Sequence, residues 1–410
     1  MYLLLGYGRS NQSIEKYFIK ENIEYLIYDD YKFKDKINLD NIKIIIKSNG
    51  INNDHDLLNE AKKRNIKIIS DLQYFHDVTN NKNYCLVTGS NGKTTIVSLL
   101  EKCLKNTISI GNNCLPLFDY IDNNQYKVLE VSSFMLENIN YINNKYNIIS
   151  NIYPTHLEHH KSFVNYIKAK INFLKFLSHD DYIIYNKDDL IVNRIIDAYD
   201  CNKISVSLKD KKATIYSDKQ FIFYSNKKIL DTSNIKLIGN HNLYNIMLVL
   251  GVVINHKMIK ENYIDEIYSY KGEKYRLQII PIKDYKIVND SKSTNFKALS
   301  VALDCFKDNI ILIVGGKKRN DDYSLLTRNL YKIQEVFCYG ENKEEFYNYF
   351  NSNKIKAYKY ESLNEVIENI NIEKYNTLLF SPGSVSYDQY YDYEERGKHF
   401  EDLIKDKYNF

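Results

Sequence analysis

A glycine-rich segment between an apolar run and a helical pattern could bind a phosphate group. Residues 88–95 read Thr-Gly-Ser-Asn-Gly-Lys-Thr-Thr, apolar residues 85–87 precede them, and an apolar-periodic run follows at residues 96–104. This order predicts a strand, a turn and the start of a helix. Glycines let backbone N–H groups face an anion, and the helix N-terminus adds the positive end of its dipole. The short GxxGKT form of this motif therefore predicts nucleotide binding.

The residue types in this loop suit the parts of a nucleotide phosphate. Lys93 would reach the β- and γ-phosphates, and Thr94 would offer its hydroxyl to Mg²⁺. The residues predicted to cradle the phosphates are Gly89, Ser90, Asn91, Gly92, Lys93, Thr94 and Thr95. A divalent ion neutralises the charge that develops during phosphoryl transfer, so we expect further metal-binding side chains near the loop.

Three other side chains are candidates for this metal site, and their residue types indicate metal binding to different degrees. Glu130 ends a predicted strand, where α/β sheets bind ligands, and Mg²⁺ prefers carboxylate oxygens. His156 follows another predicted strand, but a lone histidine is more typical of packing or of the surface. Lys170 lies in a helical pattern, and its type alone indicates a solvated lysine.

A second glycine turn, Gly6-Tyr7-Gly8, is a weaker signal. Asn11 stands where the third glycine of a dinucleotide fingerprint would be, although the acidic pair Asp29 and Asp30 follows at about the distance expected for a ribose contact. A tight strand-to-helix turn and a site for a nucleotide-type ligand both remain open for this segment.

Short apolar runs alternate with amphipathic stretches along the chain, a pattern typical of parallel α/β sheets. The predicted strands are residues 2–5, 25–28, 42–46, 84–87, 127–131, 147–152, 181–185, 285–289, 310–314, 335–339 and 377–380. Shorter strand-like pieces occupy residues 204–224, predicted helices occupy residues 11–20 and 242–253, and residues 79–83 resemble a linker. At roughly 100–200 residues per domain, a chain of 410 residues should hold several domains. We expect three α/β domains, at residues 1–80, 81–269 and 270–410.

Composition excludes several classes of protein. The net charge of +4 results from 56 basic and 52 acidic residues, too small a surplus for a dedicated nucleic-acid binder. The six cysteines form no CxxC pair, which argues against a zinc ribbon or a disulfide framework and favours a reducing compartment. The longest apolar run, residues 246–254, is about half of the ~20 residues that a membrane span needs. We expect a cytoplasmic monomer that neither inserts into membranes nor binds nucleic acid.

The order of the motifs resembles that of the Mur ligase family over nearly the whole chain. The segments that carry the resemblance are residues 88–95, 111–116, 130–134, 151–158, 166–170, 186–189, 239–245, 275–277, 289–295, 381–390 and 395–397. Residues 289–295 (Asn-Asp-Ser-Lys-Ser-Thr-Asn) are most similar to the family member that adds D-glutamate. Each motif alone is a modest signal, but their joint order is hard to obtain by chance.

The resemblance implies a fold and a metal chemistry. It implies a Rossmann-like N-terminal domain, a central P-loop ATPase-like parallel sheet and a Rossmann-like C-terminal domain. ATP and two Mg²⁺ ions are the implied cofactors, and Thr94, Glu130 and His156 fall on metal-ligand positions. Lys170 falls on a lysine that CO₂ carbamylates, and a carbamate would supply anionic oxygens where an ammonium would be repelled. The implied catalytic residues are Lys93, His156 and Lys170, and the further ATP contacts are Asn242, Asn245, Arg276 and Asp290.

The resemblance also implies residues that bind the other substrates. The positions expected to contact a UDP-linked sugar substrate are Arg9, Ser10, Asp29, Gly50 and Asn112. The positions expected to contact D-glutamate are Lys292, Thr294, Ser386, Tyr387 and Tyr393, together with Arg319 in the place of a family lysine. The neighbouring Lys318 could substitute for Arg319. A dicarboxylate needs cationic and hydroxyl donors, which this set supplies.

The implied activity is an ATP-dependent ligation of D-glutamate to UDP-N-acetylmuramoyl-L-alanine through an acyl phosphate, a step in peptidoglycan precursor synthesis. Three alternatives remain open. The chain could be a sister ligase for another amino acid, or resemble folylpolyglutamate synthase. It could be a generic P-loop NTPase or kinase. It could be a nucleotide-binding scaffold without catalysis, although the joint presence of Lys93, Glu130, His156 and Lys170 argues against this.

Overall fold

The computed structural model describes residues 1–33, 37–79, 84–282, 285–318, 322–372, 375 and 377–408. Within these ranges the chain forms β-sheets of four, nine and six strands. The contacts divide the chain into two compact units, the first comprising residues 1–235 and 241–269, and the second residues 236–240 and 270–410. The four-stranded and nine-stranded sheets belong to the first unit, and the six-stranded sheet belongs to the second.

The N-terminal sheet is parallel and packs on both faces. Its strands are β1 (Tyr2–Leu5), β2 (Tyr25–Tyr28), β3 (Ile44–Lys47) and β4 (Lys67–Ile69), in the order β2-β1-β3-β4. Its helices are α1 (Arg9–Lys20), α2 (Asp56–Lys63) and α3 (Asp71–Thr79). Leu4 packs in one buried cluster, and Leu3 and Leu5 pack in another, because successive side chains of a strand point to opposite faces.

The central sheet positions the phosphate loop. Its strands are β5 (Tyr84–Thr88), β6 (Thr107–Gly111), β7 (Tyr126–Glu130), β8 (Tyr146–Ile149), β9 (Tyr182–Asn186), β10 (Asn202–Ser207), β11 (Ile215–Ser217), β12 (Phe221–Tyr224) and β13 (Lys227–Asp231). The order is β13-β12-β11-β10-β9-β8-β5-β7-β6. Strands β5 to β11 pair in parallel, which confirms the predicted parallel sheet, while β12 and β13 add an antiparallel edge.

The centre of this sheet brings together three segments that are distant in sequence. Strand β5 lies between β8 and β7, and all three are buried along their whole length. Because parallel strands end at the same edge of a sheet, the residues after β5, β7 and β8 meet at one edge. The helices of this region are α4 (Lys93–Cys103), α5 (Ser133–Glu137), α6 (Leu157–His160), α7 (Phe163–Ile171), α8 (Leu190–Ile196), α9 (Asn240–Val253) and α10 (Tyr263–Ser269).

The C-terminal sheet is also mainly parallel. Its strands are β14 (Gln278–Ile282), β15 (Tyr285–Asn289), β16 (Ile310–Gly315), β17 (Ile333–Tyr339), β18 (Lys356–Tyr360) and β19 (Thr377–Gly383). The order is β14-β15-β19-β16-β17-β18, and β14 is antiparallel to β15. Its helices are α11 (Phe296–Asp304), α12 (Lys343–Ser352), α13 (Leu363–Asn369) and α14 (Tyr393–Tyr408).

The predicted alternation of strands and helices in mainly parallel sheets is confirmed. Most of the predicted linker, residues 80–83, lies outside the described residues, as does the boundary predicted between residues 80 and 81. The domain limits therefore stay predictions. Among the described residues, no helix is both long and apolar enough to cross a membrane.

Candidate active site

The phosphate loop connects β5 to α4, as the sequence predicts. Gly89 and Gly92 have φ values of +146° and +90°, in the region that favours glycine. A Cβ at Gly89 would collide with Ser150 Oγ, and a Cβ at Gly92 would collide with Asn245 Oδ1. Both glycines are therefore required by close packing against neighbouring segments as well as by the turn.

The segment after β8 holds the phosphate loop in place. Asn91 donates its backbone N–H to Asn151 Oδ1 at 2.8 Å, and Ser150 Oγ donates to the Asn91 carbonyl at 2.6 Å. A hydrogen bond of 2.7 Å joins Ser90 Oγ and Tyr166 OH. The sequence analysis assigned no role to Ser150, Asn151 and Tyr166, although Asn151 and Tyr166 begin two of the motifs described above.

Lys93 lies at the first position of α4, with its ammonium over the loop. Its Nζ donates to the carbonyl oxygens of Gly89 at 2.8 Å and Ser90 at 3.2 Å. Thr94 follows on the same helical turn and is half-buried. The positive charge and the helix N-terminus thus face the same space, which suits a phosphate group.

Glu130 ends β7 and is fully buried. Its Oε1 accepts hydrogen bonds from the side-chain amides of Asn113 at 2.9 Å and Asn112 at 3.2 Å. These donors follow Gly111, the last residue of β6, which pairs with Glu130 across the sheet. The amides fix the direction of the carboxylate at the sheet edge beside the phosphate loop.

Lys170, on α7, is buried rather than solvated, which contradicts the interpretation based on its residue type alone. Its Nζ donates to the Gly89 carbonyl at 3.0 Å and to Thr88 Oγ1 at 3.3 Å. Burial lowers the pKa of the Lys170 amine well below its usual value, and the charge of Lys93 lowers it further, while Glu130 opposes the shift. Burial beside the phosphate loop therefore favours the neutral amine over the ammonium.

His156 immediately precedes α6 and has a left-handed backbone, with φ of +55°. Its side chain is 48% exposed, and its Nδ1 lies 3.8 Å from Glu158 Oε1. Burial lowers the pKa of His156, although Glu158 opposes the shift. The charges of Lys170 and Lys93 also lower it, so that His156 lies within the electrostatic range of the phosphate loop.

Two asparagines of α9 adjoin the phosphate loop. Asn242 and Asn245 are both buried, and Asn245 Nδ2 donates to Asn242 Oδ1 at 3.0 Å. The close approach of Asn245 to Gly92 places this pair next to the start of α4. The structure thus brings together, in the first unit, the phosphate loop and the predicted residues Glu130, Lys170, Asn242 and Asn245.

The residues predicted to contact UDP lie on the turns of the N-terminal sheet. Asp29 Oδ2 accepts the Tyr7 N–H at 2.8 Å, and this bond lowers the pKa of the Asp29 carboxyl. Arg9 is exposed at the start of α1, and Gly50 is exposed after β3. Ser10 bonds to the buried carboxyl of Asp71. Asp29, directly after β2, therefore holds the Gly6-Tyr7-Gly8 turn in place through its bond to Tyr7.

The second unit holds the other predicted ATP contacts. Asp290, directly after β15, is buried and accepts hydrogen bonds from Ser381 Oγ at 2.7 Å and from the Leu277 N–H at 3.1 Å. Burial raises the pKa of Asp290 to about 7, although the bond from Ser381 and the charge of Arg276 oppose the shift. Asp290 joins the ends of β15 and β19 to the segment that carries Arg276.

The pKa of Asp290 predicts a pH-dependent stability. Its folded pKa of about 7 exceeds the unfolded value, so the ionised form is disfavoured on folding and stability falls as pH rises from about 4 through 7. Relative to Asp290→Asn, the wild type should lose about 3 kcal/mol of unfolding free energy between pH 5 and pH 8. Denaturant unfolding of both proteins at pH 5 and pH 8 measures the difference, and an equal gap at both pH values would contradict the assignment.

Of the described residues predicted to bind D-glutamate, Lys292 and Thr294 follow β15, Ser386 and Tyr387 follow β19, and Tyr393 begins α14. Ser386 is buried, Tyr387 is 65% exposed and Thr294 is half-buried. Lys292 Nζ lies 5.3 Å from the centre of the Tyr393 ring. Arg319 is outside the described residues, and the alternative residue Lys318 is exposed and pairs with Glu345 at 2.8 Å.

Arg396 supports these segments and was not predicted as a functional residue. It is fully buried in α14, where its guanidinium donates to the Ser291 carbonyl at 2.7 Å, to Ser291 Oγ at 3.0 Å and to the Ser384 carbonyl at 2.9 Å. One side chain thus joins the loop that carries Lys292 to the loop that carries Ser386. The Glu-Arg-Gly motif at residues 395–397 was the sequence feature that could have indicated a role for Arg396.

Comparison with known proteins identifies the family. Residues 87–253 match the Mur ligase middle domain. A UDP-N-acetylmuramoylalanine–D-glutamate ligase of Oceanobacillus iheyensis is 31% identical over 374 residues, which cover 88% of this chain and 83% of that protein. The chain belongs to the Mur ligase family. Mur ligases are ATP-dependent enzymes that form amide bonds, and the predicted enzyme class is therefore confirmed.

Other Mur ligases match over the whole chain. A UDP-N-acetylmuramoylalanine–D-glutamate ligase of Oenococcus oeni is 28% identical over 428 residues, which cover 99% of this chain and 97% of that protein. The crystal structure of the UDP-N-acetylmuramate-alanine ligase MurC from Thermotoga maritima has a TM-score of 0.61 at 17% identity and covers 99% of both chains. The MurF ligase of Thermotoga maritima in complex with ADP has a TM-score of 0.59 at 17% identity, with 99% of this chain and 95% of that chain covered. These structures confirm the predicted three-domain α/β fold.

The first unit of this Mur ligase fits the ATP and Mg²⁺ that the family uses. Gly89 and Gly92 leave two positions of the phosphate loop without a Cβ atom, and Lys93 and the start of α4 supply positive charge. Glu130 supplies a buried carboxylate, an oxygen donor of the kind that Mg²⁺ prefers. The donor set is thus chemically suited to a magnesium-bound nucleotide.

Proposed function

We propose that this Mur ligase uses ATP to join D-glutamate to UDP-N-acetylmuramoyl-L-alanine through an acyl phosphate, in the cytoplasmic synthesis of peptidoglycan precursors. The observation that carries the proposal is the buried Lys170 amine, 3.0 Å from the Gly89 carbonyl of the phosphate loop. The choice of D-glutamate is supported by the names of the relatives from Oceanobacillus iheyensis and Oenococcus oeni.

The phosphoryl-transfer step needs positioning and charge neutralisation more than covalent chemistry from the protein. Lys93 and the backbone N–H groups of residues 89–95 would bind the phosphates of ATP. Thr94, Glu130 and His156 would hold two Mg²⁺ ions, which when bound neutralise charge on the phosphate oxygens. Asn242, Asn245, Arg276 and Asp290 are the further proposed ATP contacts.

Lys170 would act as a carbamate. Its neutral amine would attack CO₂, so that a nitrogen–carbon bond forms and one proton leaves to solvent. The lowered pKa of Lys170 supports this step, because only the unprotonated amine has the electron pair that the bond needs. The product carries anionic oxygens in place of a buried ammonium, and these would complete the oxygen ligands near Glu130.

The amide bond would form when the amine of D-glutamate attacks the activated alanyl carboxyl group and phosphate leaves. Cationic and hydroxyl groups of the second unit would bind the two carboxylates of D-glutamate. This set is Lys292, Thr294, Ser386, Tyr387 and Tyr393, with either Arg319 or Lys318. His156 would also orient the alanyl carboxylate.

The nucleotide end of the sugar substrate would bind to the N-terminal turns. Arg9, Ser10, Asp29 and Gly50 would contact UDP, and Asn112 would contact the sugar-peptide portion. In this proposal residues 1–80, 81–269 and 270–410 form the UDP-substrate, ATP and amino-acid domains of a monomer.

A phosphate-release assay with a panel of amino acids tests the proposal. With ATP, Mg²⁺ and UDP-N-acetylmuramoyl-L-alanine present, D-glutamate should stimulate release, whereas L-alanine, meso-diaminopimelate and L-lysine should not. Stimulation by one of these others would assign the chain to a sister ligase. Release that is independent of both the amino acid and the UDP substrate would indicate a generic NTPase.

A further inference from the structure

A second cluster of metal-binding side chains lies in the first unit. It consists of Glu137, at the end of α5, and of His159 and His160, the last two residues of α6. One potential ligand atom from each residue lies within 4.8 Å of the other two. His159 Nε2 is 3.1 Å from Glu137 Oε2, and His160 Nδ1 is 3.7 Å from Glu137 Oε1. Two atoms bound at about 2.1 Å to one tetrahedral zinc ion would lie about 3.4 Å apart, between these two distances.

The buried ring of His160 presents one nitrogen that is not used in a hydrogen bond within the described residues and that could bind a metal ion. Its side chain has no exposed surface, and its Nε2 lies 3.0 Å from Ser133 Oγ. Its Nδ1 has no hydrogen-bond partner among the described residues. If Nε2–H donates to Ser133, the lone pair of Nδ1 faces the Glu137 carboxylate, an arrangement that a bridging cation stabilises. Metal-bound histidines typically donate their second ring nitrogen in this way.

The electrostatic environment favours an ionised Glu137 carboxylate and a neutral His160 imidazole, the forms that bind metals. Burial alone would raise the pKa of Glu137, but hydrogen bonds from His159 and Asn53 lower it to below its usual value. Burial lowers the pKa of His160, although Glu137 opposes that shift. The carboxylate is thus ionised at neutral pH.

The cluster opens to a cavity of about 530 Å³, which has room for a further ligand such as water. The cavity is lined by Glu137, His159, His160 and polar side chains that include Asn53, Asp54 and Asn165. Of the two lysines in its wall, Lys161 lies 3.6 Å from the carboxylate of Asp54.

We propose that Glu137, His159 and His160 bind a divalent transition-metal ion, with zinc as the expected ion, at a site separate from the magnesium site of the phosphate loop. Two imidazoles and one carboxylate suit zinc, whereas Mg²⁺ prefers oxygen ligands. The ion would tie α6, which follows His156, to α5, which follows Glu130. It would thereby fix the spacing of the two segments that carry catalytic metal ligands.

Zinc retention by the full-length protein tests this proposal. Protein stripped with a chelator is loaded with Zn²⁺ alone, dialysed against excess Mg²⁺ and analysed for bound zinc. The wild type should retain one zinc ion per chain, and Glu137→Gln and His160→Asn should each lose it. His179→Asn, at a histidine with 78% side-chain exposure, and Glu130→Gln, in the phosphate-loop site, should retain it.

A Co²⁺-substituted wild type provides a second readout that does not depend on the folding of any variant. Four-coordinate cobalt with nitrogen and oxygen ligands should give visible absorption that added Zn²⁺ abolishes. The proposal is overturned if the wild type retains no zinc and gives no such absorption. It is also overturned if Glu137→Gln and His160→Asn retain as much zinc as the wild type, or if Glu130→Gln alone loses it.

Discussion

Replacing Lys93 with alanine is expected to lower the rate of phosphate release by about a hundredfold to a thousandfold, the usual effect of removing a preorganised electrostatic contact to the transition state. The Lys93 ammonium lies 2.8 Å from the Gly89 carbonyl at the start of α4, where the phosphates of ATP would bind. The loss should appear mainly in kcat, because the positive charge matters most as charge develops on the transferring group. Steady-state phosphate release at saturating substrates measures it.

Lys102→Ala is a matched control for this experiment. Lys102 lies on the same helix, but its side chain is exposed in the last turn. The control should turn over at the wild-type rate. If Lys93→Ala and Lys102→Ala were equally active, the phosphate-loop assignment would be wrong.

Replacing Lys170 with alanine should also lower turnover, by about a hundredfold or more, because an anionic ligand near the metal site would be lost. Lys170→Arg should be just as inactive, since arginine keeps a permanent charge and forms no carbamate in this role. Short carboxylates such as acetate should partly restore Lys170→Ala, because they supply the missing anionic oxygen. Phosphate-release assays with and without acetate measure both effects.

The carbamate itself can be observed in the wild type. Isotopically labelled bicarbonate should give a carbamate signal by NMR, and that signal should be missing from Lys170→Ala. Lys175→Ala, at an exposed lysine that follows α7, should keep both the signal and the activity. Full activity of Lys170→Arg, or a signal that persists in Lys170→Ala, would refute the role of Lys170.

The parts of the fold that the sequence predicted best are continuous apolar runs. The predicted strands at residues 2–5 and 310–314 match β1 (Tyr2–Leu5) and β16 (Ile310–Gly315) to within one residue. The predicted buried helix at residues 242–253 begins two residues earlier, at Asn240. Residues buried on both faces of a parallel sheet give a strong signal because every position is apolar.

The two edge strands of the C-terminal sheet were missed for a physical reason. Strand β18, Lys-Ala-Tyr-Lys-Tyr, places an exposed lysine at two of its five positions, and β14 contains a proline. Lysine and proline are typical of edge strands, where one row of backbone groups has no partner strand. Their signals in the sequence are therefore close to those of loops.

The candidate site was predictable from the sequence where a local motif is characteristic of one kind of chemistry. The phosphate loop lies where the sequence pattern predicted it, between β5 and α4. Lys170 could not be distinguished by residue type from an exposed lysine, because its burial depends on how the fold places α7 beside Thr88 at the end of β5. Arg396 bonds to Ser291, which lies 105 positions away in the sequence, and to Ser384, which lies 12 positions away. The sequence alone indicates neither contact.

The spacing rules for metal ligands also could not recognise the cluster of Glu137, His159 and His160. Its two adjacent histidines lie 22 positions or more beyond the glutamate, and the carboxylate reaches them only because the fold brings the ends of α5 and α6 together. Spacing rules recognise ligands that share one local turn, as in zinc ribbons. Packing between elements creates sites that such rules do not detect.

The most direct test of the proposed mechanism follows one oxygen atom. UDP-N-acetylmuramoyl-L-alanine is prepared with a heavy oxygen isotope in its alanyl carboxylate and is converted with ATP and D-glutamate. If the carboxylate is phosphorylated before the amine attacks, mass spectrometry should find one labelled oxygen in each inorganic phosphate released. Release of phosphate without label during amide formation would contradict the acyl phosphate route.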